Sequence, residues 1–286
     1  MSSPTTDVTG APTRATSFDR VRQVAVTLSE VVSLLGPLVG AGIIGTRVED
    51  SSGGDLSADS TLLAPGGPAF SIWSVVYLGL AAYTVWQWLP SRAADPRARA
   101  TGWLAASSML LNACWLVVTQ QGWIWTSVAV IAVLALVLGF LVLRLAEVPS
   151  RYGSGETLVV DGTFGLYLGW VCVATAANVA AAIVSTGVEP VGTAAEWTAA
   201  GVVLVLAGVL AWIQSRVGGR WAVAAAAAWG LSWISVARAT DRPESAVVAV
   251  AAAVAAVLVV LATAVLRGRT PAPGSPAHAP DDRRGA

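Results

Sequence analysis

Residues 164–178 read FGLYLGWVCVATAAN. The stretch is apolar enough to lie in a membrane, yet it carries Tyr167, Trp170, Thr175 and Asn178. On a helix advancing about 100° per residue, Tyr167, Trp170, Ala174 and Asn178 fall within an arc of about 80°. A wall with two aromatic rings and an amide is not built for lipid chains. It is expected to look onto other protein or a cavity.

The surrounding chain has the same character. Of its 286 residues, 55% are hydrophobic and 12% charged, too few charges for a soluble protein of that length. Apolar runs recur along it at approximately Val24–Gly45, Ala69–Leu89, Ala100–Thr119, Trp123–Leu145, Leu158–Ser185, Trp197–Ser215, Trp221–Val236 and Ser245–Leu266. Each is long enough to cross, or nearly cross, a hydrocarbon core about 30 Å thick at about 1.5 Å per residue. The expected fold is therefore all-α, a polytopic membrane helix bundle of eight spans, with Trp221–Val236 the shortest. The apolar run of the first span exceeds an ordinary signal-peptide core, so it reads as a retained helix. Residues 1–22 and 268–286 are rich in Ser, Thr, Pro and Arg and read as disordered tails.

All 17 basic residues are arginines. With the N-terminus inside, 14 of the 17 fall on cytoplasmic segments and only Arg47, Arg238 and Arg242 outside. This asymmetry predicts a multi-pass plasma-membrane protein with both termini cytoplasmic and the loop Thr46–Gly67 outside. Equal basic and acidic counts give no pull toward nucleic acid. The partners to expect are the lipid bilayer, a hydrophobic small molecule and, as an open option, a second copy of the chain in a homodimer. Cys114 and Cys172 lie in apolar spans without zinc or redox spacing, and the single histidine, His278, sits in the Pro-rich tail. No catalytic constellation, metal set or phosphate-cradling glycine loop is present, so no cofactor is required and an enzyme is not the expectation.

Most of the 13 tryptophans sit near span ends, where indole rings settle at the headgroup level. Trp73, Trp115 and Trp170 differ because polar neighbours share their helix faces. On the second span Phe70, Trp73, Tyr77 and Thr84 share an arc of about 60°, and on the third Ser108, Asn112, Trp115 and Thr119 do likewise. Counted from the outer ends, Tyr77, Asn112 and Asn178 lie roughly 10–12 Å deep, Trp73 and Trp115 about 6 Å deep, and Trp170 near mid-membrane. Three helices running in different directions thus bring aromatic and polar groups to one depth. This predicts a pocket in the outer half, roofed by the long outer loop. Asparagines hydrogen-bonding across helices would account for Asn112 and Asn178 singly, but not for their coincidence with three indoles. Elsewhere, Glu30 is expected to snorkel or to pair with Arg22, Asp161 to suit a helix N-terminus, and Gly165-x-x-x-Gly169 to permit close helix approach.

The segment Tyr167-x-x-Trp170-Val171-x-x-Ala174-Thr175-x-x-Asn178 resembles the signature of the TspO/MBR family, which contains the tryptophan-rich sensory proteins and the translocator (peripheral benzodiazepine receptor) protein. Trp73-x-x-x-Tyr77 and Leu111-Asn112-x-x-Trp115 match in order. The resemblance covers about residues 24–186. It implies a TspO-like five-helix core over 23–186 followed by a three-helix extension over 187–267. It further implies a porphyrin (tetrapyrrole), sterol or similar flat ligand held between the helices beneath the first loop. Trp73, Asn112, Trp115, Trp170, Ala174 and Asn178 match positions that line or border that pocket; Tyr77 and Tyr167 complete the candidate site. The sequence also departs from the family pattern. Phe70 and Trp73 are one residue closer than usual, Leu166 replaces a proline, and no Tyr-Arg pair follows Asn178, which argues against a sterol. A small-metabolite transporter, and a Trp-dependent porphyrin-degrading enzyme, are the alternative readings.

Overall fold

The computed structural model describes residues 15–34, 36 and 52–269, and the described residues contain helices and no strand. Eight long helices follow in order: α1 Ser17–Ser33, α2 Ile72–Gln87, α3 Pro96–Gln120 and α4 Ile124–Glu147, then α5 Gly153–Val184, α6 Thr193–Val217, α7 Trp221–Thr240 and α8 Ala246–Arg269. Helices α2 to α8 are long and apolar enough to cross a membrane, α2 together with the 3₁₀ turn Gly67–Ser71 before it. The second half of the first span, with Pro37 and Gly40, lies outside the described residues, as do His278 and most of both tails.

Helix α1 is amphipathic in the inverted sense. Phe18, Val21, Val24, Leu28 and Val31 point outward, while Asp19, Arg22, Gln23, Ser29 and Glu30 are buried against the protein. In a bilayer the apolar stripe meets lipid and the polar one must be satisfied inside the bundle. The helix begins at Ser17, ahead of the Val24 expected from hydropathy, so residues 17–22 are not tail. Thr16 and Asp19 cap each other's backbone N–H, the reciprocal pairing that fixes a helix start. The side chain of Arg22 lies over Gly102, where no Cβ obstructs it. It donates to Asp19 (2.9 Å) and to the Ala93 carbonyl (2.8 Å). Glu30 therefore neither snorkels nor pairs with Arg22: it is 3% exposed, and its carboxylate oxygens have no hydrogen-bond partner among the described residues.

Helix α5 is the hub of the molecule. α1 packs on α2 and α3, α3 on α4 and α4 on α5; on the other side α5 packs on α7, α7 on α8 and α8 on α6. The α5–α7 crossing is close because it is made of glycines. A Cβ at Gly169 would fall on the Val223 carbonyl, one at Gly165 would lie 2.8 Å from Ala222 Cβ, and one at Gly230 would press on Val173. Backbones approach without a side chain between them, as small-residue interfaces in membranes permit. The turn from α6 into α7 is equally specific: Gly218 and Gly219 have φ of 75° and 69°, a left-handed geometry that glycine adopts without strain.

The two ends of the bundle differ. At the end holding the starts of α1, α3, α5 and α7, buried ions cluster. Asp19 also receives Arg99 (2.6 Å), whose guanidinium holds its carboxyl well below the usual carboxylate range. Arg97 bonds Asp161 (2.6 Å) and faces Glu156 (3.4 Å), and Arg220 bonds Asp161 as well. Asp161 is thus more than a favourable charge at a helix start; it ties α3 and α5 to the first residue before α7. At the opposite end, residues 52–66 and the 3₁₀ turn fold back over the bundle, anchored where Ser52 Oγ donates to the Thr119 carbonyl (3.0 Å).

Candidate functional site

Beneath that loop, α2, α3, α4 and α5 enclose a narrow cavity of about 40 Å³, well below the volume of ordinary small-molecule sites, so a ligand enters only as its walls part. Its aromatic walls are Phe70, Trp73, Trp115 and Trp170; Ala174, Ala177 and Ala181 form a shallow floor along α5, and Asn178 closes one side. The small residues matter. Three alanines at i, i+3 and i+7 leave a flat strip facing the indoles, so the cavity is a slot and not a sphere. The roof comes from the loop, through Leu56, Ser60, Ala64 and Pro65, with Asp55 at the rim.

The rings are ordered by their contacts with one another. Trp73 lies 5.6 Å from Tyr77 in a stacked arrangement and meets Tyr167 (5.8 Å) and Trp170 (6.3 Å) edge to face. Phe70 meets Trp170 edge to face at 5.7 Å. These are the separations at which aromatic quadrupoles attract. Trp73, Trp115 and Trp170 each border the cavity.

Asn178 is the polar keystone. Its Oδ1 accepts the Trp115 indole N–H at 2.9 Å, and its Nδ2 donates to Ser127 Oγ at 3.0 Å. One amide thereby joins α3, α4 and α5 and fixes the plane of Trp115. Trp170, 1% exposed, has no acceptor for its indole N–H among the described residues. A buried donor without a partner is uncommon and calls for an explanation. Here it stands in a cavity wall.

Of the eight residues expected at the site, the structure brings five to the cavity surface: Trp73, Trp115, Trp170, Ala174 and Asn178. Tyr77, Asn112 and Tyr167 stand just behind them and do not line it. Asn112 Nδ2 donates to the Tyr77 hydroxyl (2.9 Å), and the Tyr167 hydroxyl donates to the Ser108 carbonyl (3.3 Å). These bonds tie the layer to itself and to the neighbouring backbone beneath Trp73, while Asn112 Oδ1 is buried with no partner among the described residues. Sequence reasoning did not reach α4, which supplies Ile131 to the wall and Ser127 to Asn178. The available signal was Ser127 itself, a hydroxyl one turn inside an otherwise apolar span. Phe70 was seen on the right helix face but not assigned to the site. Among the described residues the lining carries no cation: its polar groups are Asp55, Ser60, Asn178 and the indole N–H groups.

A larger opening, about 590 Å³, is a groove on the other side of α5, walled by α6 and the turn before it. It is apolar, faces outward and has no aromatic wall.

No curated protein and no solved structure matches the chain. A family model described as TSPO-like protein matches residues 27–265. The match runs well past residue 186, where the motif resemblance stopped, and takes in the last three helices. Helix α7 makes the same point structurally, since it packs along α5 through Gly165, Gly169 and Gly230. With most of its length under that match and the aromatic slot in place between α2 and α5, the chain is a multi-pass membrane protein that belongs to the TSPO-like protein family.

Proposed function

We propose that this protein binds a flat, hydrophobic aromatic ligand of the porphyrin class in the slot beneath the loop, as a sensory or translocator-like receptor. The observation that carries the reading is the slot itself: the indoles of Trp73 and Trp115 on α2 and α3 across from an α5 face made of Trp170 and three alanines. Such a shape takes a planar ring system by stacking and rejects a bulky or branched one. Asn178 and the unpaired Trp170 N–H are the groups that would meet a polar edge. The layer of Tyr77, Asn112 and Tyr167 behind the slot supports binding over translocation, because both hydroxyls and the Asn112 amide N–H are bonded to protein and only Asn112 Oδ1 lacks a partner among the described residues.

The arginine asymmetry supports placing the loop end outside the cell and both termini inside, in the plasma membrane. Among the described residues, Arg238 and Arg242 alone lie at the loop end. The ligand then meets the protein in the outer half of the bilayer.

The test is a titration of purified protein with protoporphyrin, followed by quenching of tryptophan fluorescence. The reading expects saturable quenching that is lost in Ala174→Phe, which fills the slot without adding an indole. Quenching that never saturates, or that is equal in a folded Ala174→Phe variant, refutes it.

A further inference from the structure

The roof of the slot is held from the far side of the molecule. Arg238, in the last turn of α7, is fully buried, and it donates through one terminal nitrogen to the Thr61 carbonyl (2.6 Å) and through the other to the Ala58 carbonyl (2.8 Å). One turn and more back on the same helix, the Trp233 carbonyl accepts the Gly66 N–H (3.3 Å), and the Trp229 indole N–H donates to the Ala69 carbonyl (3.0 Å). The ring of Trp233 lies where a Cβ at Gly66 would stand 3.3 Å away. Trp229 and Trp233 pack edge to face at 5.7 Å. The C-terminal half of α7, from Trp229 to Arg238, therefore grips residues 58–69 at four backbone positions. Most of those contacts are made to main-chain groups, so they fix the path of the segment whatever side chains it carries.

The gripped segment is also a partition. Ser60, Ala64 and Pro65 line the aromatic slot, whereas Thr61, Leu62 and Leu63 between them line the groove bounded by α5 and α6. Helix α5 is two-sided in the same way: Ala174, Ala177, Asn178 and Ala181 face the slot, while Ala176, Val179, Ala180 and Ile183 face the groove. The segment 60–65 and one helix are what stand between the two spaces.

From this we propose that α7 is the clamp on a gate: residues 58–66 form a lid that separates slot from groove, Arg238 is the positioning residue that keeps it shut, and the ligand passes sideways between the bilayer and the slot through the groove. The proposal rests on the reading of the slot as a ligand site, and it gives two of the last three helices a role, α7 clamping the lid and α6 walling the route. A charge-assisted hydrogen bond contributes more than a neutral one, so removing both from a buried guanidinium should raise lid opening about tenfold or more.

Two measurements in lipid nanodiscs test it. Hydrogen exchange needs no ligand: Arg238→Met should speed exchange of the amides in 58–66 by about tenfold or more while those of α3 and α4 keep their rates, and Arg238→Lys should fall between. Should Arg238→Met fail to fold, Trp229→Phe keeps an aromatic ring, removes the bond to Ala69 and should loosen 66–70 alone. Unchanged exchange in the lid overturns the clamp. Stopped-flow quenching by protoporphyrin then reads the route: Arg238→Met should speed association and dissociation together, so that Kd moves less than either rate. Thr198→Phe, at an exposed position of the groove wall, should slow both. Rates indifferent to Thr198→Phe overturn the sideways route. A protein that binds no porphyrin yet loosens its lid in Arg238→Met refutes the proposed ligand and leaves the clamp standing.

Discussion

If Asn178 is the keystone of the slot, its removal should be costly in a way that a neighbouring variant can diagnose. Asn178→Ala deletes two buried hydrogen bonds, one from Trp115 at 2.9 Å and one to Ser127 at 3.0 Å. Ser127 keeps its own donation to the Ile124 carbonyl (2.7 Å), so it is not stranded. Trp115, 7% exposed, loses its only acceptor. Interhelical hydrogen bonds in membranes contribute about 0.6 kcal/mol on average and up to about 1.7 kcal/mol, and a stranded buried donor costs about 1–3 kcal/mol. Asn178→Ala should therefore destabilise the protein by about 2–3 kcal/mol. Trp115→Phe removes the donor but most of a ring remains, so about 1 kcal/mol is expected. In the double variant the stranded donor no longer exists, and the coupling energy should be about 1 kcal/mol. Reversible unfolding by SDS titration in mixed micelles, monitored by far-UV circular dichroism, measures all four corners of the cycle. Additivity within about 0.3 kcal/mol would show that the 2.9 Å contact holds nothing together, and the keystone argument would fall.

Three further outcomes follow from other parts of the structure. Gly169→Ala places a methyl on the Val223 carbonyl, so overpacking of about 1–3 kcal/mol should outweigh the roughly 1 kcal/mol that alanine gains in helix propensity; Gly139→Ala, which meets nothing, should be neutral or stabilising in the same unfolding assay. Asp161→Asn leaves Arg97 and Arg220 without the carboxylate they share and should cost about 3–5 kcal/mol, as breaking a buried pair does, with Asp161→Glu partly restoring stability. Because the slot has Asp55 at its rim and no cation among the described residues of its lining, protoporphyrin dimethyl ester should bind at least as tightly as the free diacid; tighter binding of the diacid in parallel quenching titrations would contradict the electrostatic reading.

Much of this was legible in the chain because a bilayer simplifies the code. Backbone groups must be satisfied within each span, so hydropathy marked every described span to within a few residues. Any polar or aromatic group sharing a helix face deep in a span demanded a reason. That logic singled out Trp73, Trp115, Trp170, Ala174 and Asn178, which line the cavity beneath the loop, although the shared depth it read belonged to Tyr77, Asn112 and Asn178, and only the last of these reaches the cavity. It failed where the answer depended on partners. Nothing in the third span tells that Asn112 will turn to Tyr77 and not to a cavity. Arg22 was offered Glu30 by spacing, but it found Asp19 and a loop carbonyl instead. Arg238 entered the sequence argument as a loop charge, yet it is a buried guanidinium in a helix that runs one turn further than hydropathy indicated, to Thr240. Its partners are main-chain carbonyls some 180 residues earlier in the chain, and carbonyls leave no mark in a sequence.

The central claim is that a planar aromatic ligand sits among the indoles between α2 and α5. A cryo-EM structure of the protein in lipid nanodiscs with protoporphyrin bound tests it most directly. The account places the macrocycle against Trp73, Trp115 and Trp170, over Ala174 and beneath Ala64 and Pro65, with Trp170 Nε1 newly paired. Density for the macrocycle confined to the groove between α5 and α6, with the rings of the slot still packed on one another, would contradict it.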